Sequence, residues 1–67
     1  MRNRKLINAR KKAGLNRVQM ARVMDVHPVT IYRWEVGAVH IPFKRAKEMV
    51  GILHEQGITL KDLGYYV

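Results

Sequence analysis

The pattern of hydrophobic and polar positions predicts a chain made of helices. Apolar residues recur mostly three and four positions apart, the spacing of one face of an α-helix, and no segment alternates as a strand does. We therefore expect an all-α fold of five helices. The predicted helices cover residues 3–13, 17–24, 28–36, 43–57 and 60–64, and a C-terminal tail covers 64–67.

Several residues predict where these helices begin and end. Gly14 stands where a left-handed residue ends helix 1. Asn16 with Gln19, and Thr59 with Asp62, have the spacing of a capping box at a helix start.

A short turn is predicted between helices 2 and 3. Asp25 tolerates the left-handed conformation better than most residues, and Val26 can fill the corner. Pro28 suits the first turn of helix 3, and Gly37 is expected to end it.

The apolar stripe of each helix indicates a core. The expected core residues are Leu6, Ala9 or Arg10, Ala13, Met20, Ala21, Val23, Met24, Ile31, Trp34, Phe43, Ala46, Met49, Val50 and Leu53.

Helix 3 carries apolar residues on two opposed sides. Ile31 and Trp34 share one side and are expected in the core. The other side holds Val29, Tyr32, Arg33 and Val36, at the i, i+3, i+4, i+7 spacing. Only one side can face the core of a small protein, so the second side needs a partner.

The charge of the chain indicates a polyanionic partner. Thirteen basic residues oppose five acidic ones, for a net charge of +8, and the first acidic residue is Asp25. Such a field attracts nucleic acid or anionic lipid. Arg2, Arg4 and Lys5 could form a DNA-binding arm, although terminal basic residues are usually solvated.

Other function classes lack the residues they require. The chain contains no Ser or Cys and no paired carboxylates for catalysis, so we expect no enzyme. Three His residues without ligand spacing predict neither metal nor cofactor. The apolar runs are shorter than the roughly 20 residues of a membrane span, and the Arg-rich start lacks the apolar segment of a signal peptide. We expect a cytoplasmic protein folded as one domain over residues 1–67.

Predicted helices 2 and 3, joined by a short turn, form a helix-turn-helix over about residues 16–37. The segment LNRVQMARVMDVHPVTIYRWEVG resembles the phage-repressor-type helix-turn-helix family, Cro/cI-like or XRE. The resemblance implies a compact five-helix lambda-repressor-like DNA-binding domain. Its matching positions are Ala21, Val26, Pro28, Thr30, Ile31, Trp34 and Glu35.

Three residues depart from the family pattern. Arg17 replaces the usual Gln at the start of helix 2, and Asp25 replaces the usual Gly of the turn. His27 stands where Ser or Thr usually caps helix 3, so it either caps the helix weakly or faces DNA.

The resemblance makes helix 3 the recognition helix, whose second side enters the major groove. Arg33 could bind guanine through O6 and N7, or could contact phosphate or solvent instead. Val29 could meet a thymine methyl group. For Thr30 a phosphate contact is favoured over a base contact. The expected base-contacting residues are Val29, Tyr32, Arg33 and Pro28.

Other residues are expected to anchor the DNA backbone or to fix the recognition helix. By resemblance, Arg10 and Glu35 form a buried ion pair between helices 1 and 3. The expected phosphate contacts are Asn16, Arg17, His27, Thr30, His40 and Lys44.

These features predict a transcriptional regulator that binds a palindromic operator in double-stranded DNA, with repression implied by resemblance. We expect a homodimer, formed in solution or only on DNA, through helices 4 and 5 or the C-terminal tyrosines. The alternative is an antitoxin-type protein whose main partner is another protein, contacted by Val36, Tyr65 and Tyr66. A membrane-surface helix is disfavoured because helix 1 lacks a broad apolar face.

Overall fold

A computed structural model describes residues 2–66, and all regular structure in this range is helical. No strand occurs among these residues. The α-helices are α1 (Arg4–Lys12), α2 (Arg17–Met24), α3 (Pro28–Glu35) and α4 (Phe43–Ile52), followed by the 3₁₀ turns His54–Gln56 and Lys61–Leu63.

The prediction of five helices is not confirmed. Predicted helix 4 is α-helical only to Ile52, and a 3₁₀ turn continues it to Gly57. Predicted helix 5 is a single 3₁₀ turn. Gly57 and Gly64 both have positive φ, of 79° and 95°, so they leave too few residues between them for an α-helix to nucleate. Val67, the last residue of the predicted tail, lies outside the described residues.

The helix ends around α2 agree with the sequence predictions. Gly14 has a φ of +78° just after α1. The Asn16 side chain accepts from the Gln19 N–H, and the Gln19 side chain accepts from the Asn16 N–H, both at 2.8 Å. Asp25 has φ 56° and ψ 48°, the left-handed conformation expected for the turn.

The core lies between the four helices and the two 3₁₀ turns. Its most deeply buried members have relative exposures of 1% or less, and Arg10 and Glu35 are the buried charged residues within 2–66. The residues exposed to 1% or less are Leu6, Met20, Ala21, Ile31, Glu35, Ala46, Met49 and Leu53.

Two residues predicted for the core are exposed instead. Val23 is 57% exposed, because Met20, Ala21 and Met24 supply the buried side of this short helix. Phe43 is 45% exposed and begins α4, where its ring packs edge-on against the ring of Tyr65.

The end of the chain is tied to the start of α1. The Asn3 side chain caps α1 by accepting from Leu6 N–H, and its amide donates to the Asp62 carbonyl at 3.0 Å. Lys5 lies 3.0 Å from the Asp62 carboxylate. Burial acts to raise the pKa of Asp62, but hydrogen bonds from the Thr59 backbone, Lys5 and the Thr59 hydroxyl outweigh it and hold the pKa below its usual value. Asp62 therefore stays charged and fastens the last 3₁₀ turn to α1.

Candidate nucleic-acid interface

Helices α2 and α3 pack on each other through a small residue at their crossing. Ala21 is 1% exposed, and its carbonyl accepts a 2.9 Å hydrogen bond from the N–H of Val26 in the turn. Ala21 has a side chain short enough to let the two backbones approach. Ile31 and Trp34 bury the inner side of α3 against the core. The pair is the helix-turn-helix that the sequence predicts.

The outer side of α3 is uncovered. Val29 is 43% exposed and Tyr32 is 45% exposed, and Arg33 is also exposed. Val36 is half-buried, so it contributes less to this side than its spacing suggests. Pro28 is half-buried at the start of the helix. An exposed arginine beside two exposed apolar side chains can offer both hydrogen bonds and methyl contacts to base edges.

His27 caps α3. Its Nδ1 accepts a 3.1 Å hydrogen bond from the N–H of Val29, while the residue stays exposed. Of the two readings of His27, the structure shows the cap, and a contact to DNA stays a prediction. Thr30, one turn into the helix, is half-buried.

A buried carboxylate joins α3 to the two preceding helices. Glu35 is 0% exposed and accepts a 2.6 Å hydrogen bond from Arg10 Nε at one oxygen. Its second oxygen accepts from Arg17 Nε at 2.8 Å. Arg10 also donates to the Leu15 carbonyl at 2.9 Å. One carboxylate therefore fixes the end of α3 relative to both α1 and α2.

Arg17 has a role that the sequence did not predict. Besides its bond to Glu35, its guanidinium carbon lies 5.0 Å from the centre of the Tyr32 ring. The Arg17 side chain is 39% exposed, so part of the guanidinium still faces solvent. Arg17 and Glu35 are 18 residues apart, and no local spacing rule relates such distant positions. The one signal in the sequence was that Arg stands at position 17, where the family usually has Gln.

The remaining predicted phosphate contacts lie at two other places. Asn16 is exposed at the start of α2, where it belongs to the capping box. His40 and Lys44 are exposed in the connector and the first turn of α4. The His40 ring lies 5.1 Å from the ring of Tyr65. Contacts of these residues with phosphate stay predictions.

Arg45 supports the helix-turn-helix from α4, a role that was not predicted from the sequence. Its guanidinium donates to the Met24 carbonyl at 2.9 Å, at the end of α2, and pairs with Glu48 one turn on. A cation at the last carbonyls of a helix satisfies an unpaired acceptor and opposes the helix dipole. The periodicity of α4 could not reveal it, because its partner is a backbone atom.

Residues 2–66 offer little for other site types. Within this range no helix has the length and apolar character needed to cross a membrane. No three His, Asp or Glu side chains of the same range gather as metal ligands.

Comparison with known proteins identifies the family. A family model described as helix-turn-helix, of the Cro/cI-like XRE type, matches residues 6–55, or 50 of the 67 residues. Searches of curated proteins and of solved structures returned no significant match. The matched range contains most of α1, all of α2 to α4, the ion pair of Arg10 with Glu35, and the uncovered side of α3. The chain belongs to the Cro/cI-like, XRE-type helix-turn-helix family of DNA-binding transcription regulators.

Proposed function

We propose that this protein is a sequence-specific repressor that binds a palindromic operator as a symmetric dimer. The observation that carries the proposal is the uncovered side of α3, where Val29, Tyr32 and Arg33 are exposed on a helix whose other side is buried. The major groove, about 12 Å wide, admits one such helix. Residues 1–67 act as one DNA-binding domain in the cytoplasm.

Base recognition in this proposal belongs to the outer side and start of α3. Arg33 binds guanine O6 and N7, which its planar fork matches, and such a pair discriminates by about 1 to 3 kcal/mol. Val29 contacts a thymine methyl group near the start of the helix. Tyr32 and Pro28 contribute the remaining contacts to base edges.

Phosphate contacts flank the recognition helix and hold it in register. The start of α2 supplies backbone N–H groups, a partial positive charge and the side chains of Asn16 and Arg17. His27 and Thr30 serve the start of α3, and His40 with Lys44 supplies a second anchor. These residues position the protein without reading sequence.

A symmetric dimer places two recognition helices about 34 Å apart on one face of the duplex. The surface proposed for this contact is the region around α4 and the C-terminal tyrosines. There Phe43 is 45% exposed and Tyr66 is 78% exposed. The dimer forms in solution or only on the operator.

Selection of bound sites from random double-stranded DNA tests the proposal. We expect selected sites with two inverted half-sites whose centres lie about one helical turn apart. Arg33→Ala should relax the preference at one base pair in each half-site, whereas Lys61→Ala, which removes an exposed charge far along the chain, should not. Selected DNA without any shared sequence would overturn the proposal, and single unpaired half-sites would overturn the dimer.

The antitoxin-type alternative has less support. Of the residues that it requires at a protein interface, Val36 and Tyr65 are half-buried, and the Tyr65 hydroxyl donates to the Ile41 carbonyl. Tyr66 alone of the three is exposed. Tyr65 therefore serves the domain's own packing, and the exposed side of α3 favours DNA as the main partner.

A further inference from the structure

We propose that Arg17 sets base specificity by holding the ring of Tyr32 in one orientation, rather than by reading a base itself. This inference rests on the proposed function, because it assigns Arg17 a task within the same DNA interface. It concerns a residue at which the chain departs from its family, where Gln usually stands.

The first support is the position of the guanidinium. Arg17 Nε donates to Glu35 Oε1 at 2.8 Å, and the Glu35 carboxylate is itself fixed by Arg10 at 2.6 Å. Glu35 is 0% exposed, so this anchor cannot move without moving the core. The guanidinium of Arg17 is therefore held at a fixed place above α3, although its side chain is 39% exposed.

The second support is the contact with Tyr32. The guanidinium carbon of Arg17 lies 5.0 Å from the ring centre, within the range of a cation–π interaction. Tyr32 stands three residues before Glu35, on the same helix and one turn away. Arg17 thus bridges an anchored carboxylate and a 45% exposed aromatic ring. A ring with one face covered in this way has fewer rotamers available than an exposed tyrosine normally has.

The third support is the use of hydrogen-bond donors. Nε of Arg17 donates to Glu35, and the guanidinium carbon lies 5.0 Å from the centre of the Tyr32 ring, so the group already has two partners within the protein. The donors on Nη1 and Nη2 remain for a phosphate, a contact that positions the protein without reading sequence. We therefore assign Arg17 an effect on base choice through Tyr32 rather than through a base of its own.

The test compares two substitutions at position 17 with a matched control. Arg17→Lys keeps the charge but loses the planar group and the Nε donor, and Arg17→Gln restores the usual family residue. Arg22→Gln, at an exposed position on the same helix, removes one charge without touching Tyr32. Glu35 keeps Arg10 in every variant, and thermal unfolding checks that each one folds.

The readout is the base preference of each variant in selection from random DNA. We expect Arg17→Lys and Arg17→Gln to lower discrimination at the base pair next to Tyr32 by at least about fivefold, and Arg22→Gln to weaken all sites equally. In a Tyr32→Ala background the same changes at position 17 should no longer alter base preference. Unchanged preference in Arg17→Lys, or equal effects of position 17 with and without Tyr32, would overturn the inference.

A measurement without DNA separates this inference from the proposed function. In the free protein, the Arg17 side-chain protons should show ring-current shifts in NMR spectra that vanish in Tyr32→Ala. Absence of these shifts in the parent protein would overturn the inference alone. A parent protein that selects no sequence would overturn the proposed function, whatever the NMR result.

Discussion

At the scale of single residues, Glu35 determines how α3 is held against the other helices. It is fully buried, and each of its oxygens accepts from a different arginine. Burial of a carboxylate is costly unless hydrogen bonds replace its water. Two guanidinium groups do so here, and Arg10 also satisfies the Leu15 carbonyl. Removal of the carboxylate would leave Arg10 buried with its charge uncompensated.

We expect Glu35→Ala to lower the free energy of unfolding by about 3 to 5 kcal/mol, the usual cost of breaking a buried pair. Urea denaturation followed by circular dichroism measures it. Glu48→Ala is the matched control, since its pair with Arg45 is partly exposed and is worth at most about 1 kcal/mol. Equal losses in the two variants would contradict a special role for the buried carboxylate.

At the scale of elements, the turn between α2 and α3 depends on one residue with positive φ. Asp25 is the non-glycine residue with positive φ within 2–66, at 56°, where the family usually has Gly. Asp adopts this conformation more readily than most other non-glycine residues, because its short polar side chain can form local hydrogen bonds. The turn therefore keeps its shape at a small cost in stability.

We expect Asp25→Ala to lower the free energy of unfolding by about 1 kcal/mol, because alanine is strained in the left-handed region. Asp25→Gly should be at least as stable as the parent in the same denaturation assay. Asp25→Asn should have the same stability as the parent. Equal stability of the Ala and Gly variants would show that the turn does not depend on the left-handed conformation.

The last 3₁₀ turn is an element whose attachment should depend on pH. The lowered pKa of Asp62 means that its contribution to stability is present above its ordinary value of 3.8 and is lost as the pH falls through the lowered value. Asp62→Asn should remove this part of the acid dependence. Thermal melts between neutral pH and about pH 2 compare it with Glu55→Gln, a change at an exposed carboxylate on the preceding turn. Identical acid dependence in the parent and the Asn variant would be the contrary result.

The elements of the helix-turn-helix were predictable because their signals are local. The capping box at Asn16, the left-handed Asp25 and the proline at the start of α3 each act within a few residues. The prediction of a fifth helix was not confirmed, because Thr59 and Asp62 form only half of a capping box. The Asp62 carboxylate accepts from the Thr59 N–H, but the following 3₁₀ turn has no side-chain cap. Six residues between two glycines then cannot sustain an α-helix.

Contacts between distant residues were much less predictable. The pairing of Arg10 with Glu35 came only from resemblance to a family, and the bonds of Arg17 to Glu35 and of Arg45 to the Met24 carbonyl were not foreseen. Periodicity tells which side of a helix is apolar, but it does not tell which charged residue of another helix will lie there.

At the scale of the whole molecule, charge is divided unevenly along the chain. Residues 1–24 hold eight basic residues and no acidic ones, while the remainder holds five of each. The basic segment includes α1 and α2, and α2 leads through the short turn to the start of α3. This arrangement favours double-stranded DNA as the partner. Because basic residues bind phosphates, it also predicts that the affinity falls as the salt concentration rises.

If each subunit touches about four phosphates, the logarithm of the association constant should fall against the logarithm of salt concentration with a slope near −7. Fluorescence anisotropy with a labelled operator at several salt concentrations measures the slope. Lys44→Gln should reduce its magnitude by about 2 per dimer, since one phosphate contact is lost in each subunit. A nearly flat dependence would exclude phosphate anchoring of this kind.

The short length of α3 has a thermodynamic consequence. It spans eight residues, and isolated helices shorter than about 12 residues are marginal in water, so the helix persists only while Ile31, Trp34 and Glu35 stay docked. Operator DNA would bind the folded protein and not the denatured chain, so it would shift the folding equilibrium towards the folded state. At a free DNA concentration one hundred times the dissociation constant, mass action adds about 2.7 kcal/mol to the apparent stability. Occupancy of the operator would thereby lengthen the survival of the bound protein against proteases that cleave unfolded chains.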